Sequence, residues 1–296
     1  TDYRNDVAIS PEIVKITADT YRTIRNTIRF QIGNLFDFEI DRDGLNPADL
    51  TPLDKWALHE LGQLVDEVTE AYERFEFHRV YHLLNRFYTV TLSARYHDFL
   101  KDRLYTFRAD SRERRSAQTV IHHHLQTLNR LWAPILVFTC EESFREAPSP
   151  AAAAGHSIHL QDWPEVPETW RMEETATGVG ALLALRDPVN EQLESLRTEG
   201  KIGKSVEAAL TIGLPHDSPL KEILENHAGQ LAELFIVSSV KLASEENADP
   251  ATITVSVAEG ERCPRCWRTV PSFEKTAYGE VCPRCADALI PFLSQA

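Results

Sequence analysis

Four cysteines close to the C-terminal end of the sequence have the spacing of a metal site. They form two Cys-Pro-Arg-Cys turns, Cys263 to Cys266 and Cys282 to Cys285. Each turn offers two thiolates from one tight loop, and two such turns can close a tetrahedral Zn²⁺ site. A site closed by four thiolates has no open position for water or substrate, so we predict one structural zinc ion. Two disulfides, or reduced structural cysteines, are the alternatives that the spacing leaves open.

No second group of residues has the pattern of a catalytic site. The segment GKIGKS (200–205) has Thr198 where a phosphate-binding loop requires glycine, and it follows a predicted helix. His78 and His82 lack the glutamate of the metalloprotease motif and have no apparent third ligand. Histidines 122–124 are consecutive and point in three directions on a helix, so we interpret them as structural residues.

The charge of the chain is unevenly distributed. The net charge is −14, which argues against a surface that binds nucleic acid throughout, because affinity for phosphates comes mainly from Lys and Arg. Residues 261–285, by contrast, contain five Lys or Arg and three Glu. Nucleic-acid binding by one basic face therefore stays open.

The cysteine distribution also bears on location. Four of the five cysteines lie in the C-terminal pair of turns, in a sequence without a signal-peptide pattern. This favours metal over disulfides, and we predict a cytoplasmic protein. No apolar run approaches the roughly 18 residues of a membrane span, so we expect no membrane partner. The remaining Cys140 lies in an apolar segment and is predicted to be a buried small side chain.

The apolar pattern indicates a mainly α protein. Ser10-Pro11 and Thr51-Pro52 are typical helix starts, and Pro134 should end or kink a helix. From Ile13 and Ile16 through Ile24 and Ile28, apolar residues recur every three or four positions, which predicts one buried helix face. Four long helices with short joins, the third over about 76–102, favour an antiparallel bundle.

The pattern after residue 172 predicts shorter helices and strands. A long helix is predicted over about 173–198, strands over 206–214, 235–242 and 252–258, and a helix over 220–231. The predicted fold is therefore an antiparallel helical bundle, a small α+β junction domain and a four-cysteine zinc knuckle. The predicted domains are the bundle (1–145), a linker with irregular structure (146–172), the junction domain (173–260) and the zinc tail (261–296).

Several segments resemble the C-terminal part of bacterial isoleucyl-tRNA synthetases. The start of the bundle, DYRNDVAISPEIVKITADTYRTIRNTIRFQIGNLFDF, is similar to the start of their anticodon-binding bundle. Later segments of the bundle and junction, DRLYT, RRSAQTV, APILVFTCEE, SIHLQDWPE and LLALRDPVNEQLESLRTEGKIGKSVEAALTI, follow in the family's order. The bundle motifs are partly shared with valyl- and leucyl-tRNA synthetases, whereas the terminal CPRCW and CPRC turns resemble the isoleucyl branch.

The resemblance implies a tRNA-binding role within a larger enzyme. The family's HIGH and KMSKS signatures are absent from this sequence, so we expect the chain to be inactive alone and continuous with a catalytic domain that uses ATP and Mg²⁺. The implied partner is isoleucine tRNA, not DNA, and we expect a monomer. Arg22, Arg25 and Arg29 share one stripe of the first helix. We predict tRNA contacts from Arg25, Arg29, Arg114, Arg115, Arg265 and Arg268. Trp267 is a candidate for stacking on a base, although packing of its ring against the zinc knuckle is the favoured interpretation.

Two other functions are compatible with parts of the sequence. A zinc ribbon on a helical scaffold could dock another protein without binding tRNA, and the acidic balance suits that alternative. An independent enzyme is disfavoured, because the four-thiolate site is closed and no acid/base or nucleophile set is present.

Overall fold

The computed structural model describes residues 2–6, 9–215, 217–244 and 251–293. The predicted domains include a few residues outside these ranges. The chain divides into two compact units: residues 1–98 with 115–173, here called the bundle unit, and residues 99–114 with 174–296, the tail unit. Compact packing does not define functional domains, so the predicted boundaries at 145, 172 and 260 stay predictions.

Long helices dominate the first half of the chain, and several begin and end where local signals place them. Ser10 Oγ accepts a hydrogen bond from the Ile13 backbone N–H, and Pro11 occupies the first helical position, as predicted. The fourth long helix ends at Trp132, shortly before Pro134. The helices are α1 (Pro11–Asn34), α2 (Pro52–Glu73), α3 (Phe77–Arg86), α4 (His97–Thr106), α5 (Arg112–Trp132) and α6 (Val137–Glu146).

The predicted third helix is helical throughout but not uniform. Between α3 and α4, residues Phe87–Tyr96 adopt π-helical geometry, so helical backbone runs from Phe77 to Thr106. Hydrogen bonds from residue i to i−5 widen this stretch. Tyr88, Leu92 and Tyr96 from it are fully buried in the bundle unit.

One part of the predicted buried face was wrong. Ile24 and Ile28 of α1 are buried, but Ile13 and Ile16 are exposed. Periodicity indicates which residues share a face of a helix, not how much of its length is covered by neighbours. The core of the bundle unit is otherwise formed as predicted by α2, with Leu53, Trp56 and Leu61 buried, and Cys140 is buried as well.

A polar network links the start of α2 to the core of the bundle unit. Asp54, completely buried, accepts hydrogen bonds from Tyr96 Oη at 2.7 Å, Ser116 Oγ at 2.5 Å and Thr51 Oγ1 at 2.7 Å. A buried carboxylate needs such donors to offset its lost hydration.

Short helical turns make up the remaining helical structure. Between α6 and residue 173 the chain forms three such turns, Pro150–Ala153, Ile158–Leu160 and Glu168–Trp170. Further short turns are Ile40–Asp43, Pro47–Asp49 and Ser205–Glu207.

In the tail unit the predicted long helix is two helices, α7 (Glu173–Ala184) and α8 (Arg186–Thr198). Pro188 accounts for the break, because it lacks an N–H and its ring would clash with the carbonyl of Ala184, four residues earlier. The predicted helix over 220–231 is likewise divided into α9 (Pro219–Asn226) and α10 (Ala228–Leu234).

A three-stranded sheet has the order β2–β1–β3, from Ala208–Leu214 (β1), Ser239–Ser244 (β2) and Thr252–Val257 (β3). β1 is parallel to β2 and antiparallel to β3. The strand predicted to begin at Phe235 begins at Ser239 instead, because Phe235 closes α10 and is buried.

The C-terminal segment contains two small hairpins and a helix. The hairpins are β4 (Glu261–Arg262) with β5 (Thr269–Val270), and β6 (Glu274–Thr276) with β7 (Gly279–Val281), followed by α11 (Pro283–Leu293). A mainly α fold with few short strands confirms the predicted class. Within the described residues, no helix has the combination of length and apolar character that crossing a membrane requires.

Candidate metal centre and RNA-contact residues

The two Cys-Pro-Arg-Cys turns converge in the tail unit. The Sγ atoms of Cys263, Cys266, Cys282 and Cys285 lie within 4.8 Å of one another. Three of the cysteines are buried and Cys266 is half-buried. Among the described residues, no other cluster of three or more His, Cys, Asp or Glu side chains has this convergence.

Local backbone structure brings the first turn into place. The Trp267 N–H donates to the Cys263 carbonyl, and the Cys263 N–H donates to the Arg268 carbonyl, each at 2.9 Å. Gly260 precedes the turn with a φ of +117°, and a Cβ there would lie 2.2 Å from the Val270 carbonyl oxygen. Glycine is therefore required for the close approach of β4 and β5.

The second turn is built on the start of α11. Cys282 lies just before Pro283, the first residue of the helix, and Cys285 lies in its first turn. The Cys282 N–H points at Cys263 Sγ, 3.4 Å away, and Cys266 Sγ lies 3.7 Å from Cys282 Sγ. The two turns thus face each other as a closed set of four sulfur donors, which fits tetrahedral zinc.

The electrostatics of the cluster shift the pKa values of its cysteines in opposite directions. A hydrogen bond from Cys285 lowers the pKa of Cys266 to about 4, and the positive charge of Arg284 acts in the same direction. The same interaction raises the pKa of Cys285 far above its usual range. Burial likewise raises the pKa of Cys282. Since zinc binds the thiolate form, metal binding at this cluster would release protons.

Both arginines predicted from this segment to contact tRNA make contacts inside the tail unit. Arg265 Nη1 donates to the Thr106 carbonyl and lies 3.5 Å from Cys285 Sγ. Arg268 Nη2 lies 2.9 Å from Asp102 Oδ2. Both side chains are half-buried. Their positive charges therefore already have partners within the protein.

Arg284 binds the same carboxylate. Its two terminal nitrogens lie 2.5 and 2.8 Å from the Asp102 oxygens, and its guanidinium lies 4.8 Å from the centre of the Phe107 ring. Burial raises the pKa of Asp102, but the hydrogen bond from Arg284 and the charges of Arg268 and Arg284 outweigh it and lower the pKa below its ordinary value. Asp102 is thus held as an anion between two guanidinium groups.

Trp267 is the exposed aromatic side chain of the first turn. It has a left-handed φ of +66°, and 48% of its surface is accessible. Lys204 Nζ lies 4.1 Å from the ring centre, and the Arg262 guanidinium lies 5.4 Å from it. The ring and its two cations form an exposed cationic–aromatic surface, the combination on which single-stranded bases stack.

Sequence reasoning missed Lys204, Arg262 and Asp102. Lys204 lies in GKIGKS, which was rejected as a phosphate loop, and it reaches Trp267 from a separate part of the sequence. For Arg262, its place beside the first cysteine turn was an available signal. Asp102 has no local signal, because its partner Arg284 is 182 residues away.

The arginines predicted on the bundle differ in accessibility. Arg29 is exposed, and Arg25 pairs with Glu142 through two contacts of 2.8 and 2.9 Å in the bundle unit. Both line a cleft of about 330 Å³ beside Ile28 and Ile32. Glu142 and Glu146 line the same cleft, which therefore presents guanidinium and carboxylate groups beside apolar surface.

The other two predicted arginines are largely enclosed. Arg114, buried in the tail unit, donates to the Leu104 and Ala109 carbonyls at 3.2 and 3.0 Å. Arg115 is half-buried in the bundle unit and donates to the Asp37 carbonyl at 2.9 Å and to Gln118 Oε1 at 2.8 Å. The structure thus separates exposed from enclosed members of the predicted set.

Comparison with known proteins identifies two families along the chain. Residues 54–212 match the family described as "Anticodon-binding domain of tRNA ligase". Residues 260–288 match "Zinc finger found in FPG and IleRS", and this segment contains all four clustered cysteines.

Curated relatives give a consistent result. An isoleucine–tRNA ligase of Symbiobacterium thermophilum is 43% identical over 279 residues, which cover 90% of this chain and 30% of the relative. Isoleucine–tRNA ligases of Natranaerobius thermophilus and Geobacter sulfurreducens are 40% and 42% identical, over 93% and 90% of this chain and 31% and 29% of their own lengths. The chain thus spans roughly a third of the length of these relatives. With more than half of its residues inside the first family match, the chain belongs to the anticodon-binding domains of tRNA ligases.

Proposed function

We propose that the chain binds isoleucine tRNA through the anticodon stem-loop, as the tRNA-recognition part of an isoleucine–tRNA ligase. The observation that carries the proposal is the family match over residues 54–212, together with isoleucine–tRNA ligases whose similarity covers about nine-tenths of the chain. ATP-dependent aminoacylation would require a catalytic domain outside this chain, where ATP and Mg²⁺ would act. We further propose a cytoplasmic monomer that does not use DNA as its partner.

The chemistry of an anticodon loop suits the exposed groups of the chain. Its bases are unpaired and can stack on aromatic rings, while Arg and Lys bind the phosphates. Of the predicted contacts, Arg29 and Trp267 are exposed, and Arg25 lies beside Arg29 at the cleft. Arg265 and Arg268 are half-buried, and Arg114 and Arg115 are enclosed by carbonyl oxygens. We therefore rank Arg29 and Trp267 first within the proposed set.

We propose that Cys263, Cys266, Cys282 and Cys285 hold one structural zinc ion. Bound zinc would fix the two turns against each other and contribute free energy to the folding of residues 261–293. The protein's own residues supply the rest of the arrangement. Gly260 permits the approach of β4 and β5, and the Cys282 N–H points at the Cys263 sulfur.

The decisive experiment compares binding of the chain to isoleucine tRNA and valine tRNA at two salt concentrations. Tighter binding of isoleucine tRNA that weakens with salt is expected, because phosphate contacts release counterions. Replacing Arg29 with Ala should reduce the slope of log affinity against log salt by about 1. Arg74→Ala is the matched control, because Arg74 is also exposed but lies at the end of α2, outside the proposed set.

Equal affinity for the two tRNAs at both salt concentrations would contradict specific recognition by this chain. Absence of all tRNA binding would instead favour the alternative of a zinc ribbon on a helical scaffold that docks another protein. Zinc stoichiometry, measured on the same sample, reports on the metal site independently of either result.

A further inference from the structure

Two neighbouring residues near the end of α4 bind different parts of the tail unit. Asp102 pairs with the guanidinium groups of Arg268 and Arg284, which belong to residues 261–293, here called the four-cysteine segment. Arg103, almost completely buried, pairs with Glu233 of α10 at 2.7 Å and donates to the Glu113 carbonyl at 3.1 Å. Residues 99–114, the tip of the α4–α5 hairpin, therefore serve as a common support within the tail unit.

On the hairpin tip, residues 102–107 contact the four-cysteine segment. Besides the Asp102 pairs, Arg265 donates to the Thr106 carbonyl, and Arg284 lies over the Phe107 ring. Thr106 Oγ1 also donates to Asp102 Oδ1 at 2.9 Å, which fixes the carboxylate on its helix. Hydrogen bonds from Thr106, Arg268 and Arg284 fix the orientation of the Asp102 carboxylate. The carboxylate in turn fixes the orientation of the two arginines that it binds.

The arginines lie next to the sulfur atoms. Arg265 Nη1 is 3.5 Å from Cys285 Sγ, and Arg268 and Arg284 each lie within two residues of a cysteine in the chain. Four thiolates around Zn²⁺ carry a net charge of −2, so nearby guanidinium groups are favourable outer-shell partners. Groups that orient such partners contribute to metal retention.

We propose that Asp102 is a positioning residue that holds the four-cysteine segment on the tip of the α4–α5 hairpin through Arg268 and Arg284. The effect on metal retention rests on the zinc site proposed above, and no part of the role rests on tRNA binding. It also assigns the positive charges of Arg268 and Arg284 to a partner within the protein. Positive charge for an RNA partner would then come from the exposed Arg262 and Lys275 and from Lys204 beside Trp267.

The test compares Asp102→Asn with Asp110→Asn in the full chain. Asp110 lies on the same hairpin tip and pairs with Arg108 at 2.8 Å, so the control removes one charge and one ion pair from the same part of the chain. The first measurement is amide hydrogen exchange of residues 99–114 and 261–293. The second is the rate at which zinc, or Co²⁺ substituted for it and followed by its thiolate absorption, is lost to a chelator.

We expect Asp102→Asn to accelerate exchange in both segments and to release metal about tenfold faster, the size of effect seen when an outer-shell partner is removed. Asp110→Asn should match the unaltered chain. Asp102→Glu should restore part of the metal retention, because it returns the carboxylate, whereas a general loss of stability would not be restored by it. Arg284→Gln should reproduce the effect, and the double variant Asp102→Asn/Arg284→Gln should be no worse than the more severe single variant.

Equal exchange and equal metal release in Asp102→Asn and Asp110→Asn would overturn the proposal. If Asp102→Asn does not fold, Arg268→Lys and Arg284→Lys decide instead, because lysine keeps the charge but loses the planar guanidinium. Normal exchange and retention in both lysine variants would likewise overturn it. A chain that binds no zinc would refute the metal site, while amide exchange would still decide the role of Asp102.

Discussion

Three consecutive histidines should make the bundle unit sensitive to mild acid. Burial lowers the pKa values of His122, His123 and His124 to about 4, from about 6.5 for an exposed imidazole. His124 is completely buried, and its Nε2 lies 3.1 Å from the Ala57 carbonyl oxygen. Its Nδ1 has no hydrogen-bond partner within the described part of the chain. Protonation would therefore place a charge in the core with no acceptor for the new proton.

The magnitude follows from proton linkage. The folded-state pKa is depressed, so the stability contribution is complete above pH 6.5 and is lost as pH falls towards 4. At pH 5 one such histidine costs about 2 kcal/mol relative to pH 7, because the unfolded chain binds the proton and the folded chain does not. Three together would cost up to about 6 kcal/mol, which is comparable with the stability of a whole domain.

The assay is urea unfolding at pH 7 and pH 5, followed by tryptophan fluorescence. Trp56, Trp132, Trp163 and Trp170 lie in the bundle unit, which therefore dominates the signal. Replacing His124 with Gln should reduce the difference in unfolding free energy between the two pH values by about 2 kcal/mol.

The matched control is His156→Gln, because this side chain is exposed and should leave the pH difference unchanged. If His124→Gln shows the same pH difference as the unaltered chain, the assignment of acid sensitivity to this buried ring is refuted.

Three further predictions concern the tail unit and the polar core. Removing zinc with a chelator should unfold the four-cysteine segment, because metal binding supplies folding free energy to that segment. The helical circular dichroism of the bundle unit should persist. Gly260→Ala should weaken metal retention, since its Cβ would lie 2.2 Å from the Val270 carbonyl oxygen. Zinc release to a chelator measures the effect. Tyr96→Phe should cost about 1.5–3 kcal/mol in urea unfolding, because it removes a 2.7 Å hydrogen bond to the buried Asp54 carboxylate.

Each of these has its own control. Gly180→Ala introduces the same side chain where a Cβ meets nothing within 4 Å, and it should leave zinc release unchanged. Tyr105→Phe removes a hydroxyl from an exposed tyrosine and should alter stability little. Loss of bundle helicity on chelation, normal zinc release in Gly260→Ala, or equal stability of the two Phe variants would contradict the respective prediction.

Local chemistry made part of the structure predictable. Ser10 and Pro11 specify the start of α1 through one hydrogen bond and one fixed dihedral angle, and both signals lie within three residues. The four cysteines were predictable for a similar reason, because each Cys-Pro-Arg-Cys turn encodes its own geometry. Pro188, inside the single helix predicted over about 173–198, likewise indicates the break between α7 and α8, because proline disrupts a helix.

Distant pairing made other parts unpredictable. Arg114, predicted as a phosphate contact, lies in a buried cage of backbone carbonyls that exists only after the hairpin has formed. The exposed Ile13 and Ile16 have the same period as the buried Ile24 and Ile28, so their pattern alone could not tell the two halves of α1 apart.

The hairpin tip has a consequence for the order in which the chain can fold. Asp102 and Arg284 are 182 residues apart, so the tail unit combines two segments that are distant in the sequence. At translation rates of about 5–20 residues per second, Asp102 would emerge from the ribosome roughly 10–40 s before its partner. Throughout that interval the Asp102 carboxylate and the Phe107 ring lack the arginine that joins them in the finished protein. Native tail-unit structure therefore cannot be completed until residue 284 has been synthesised.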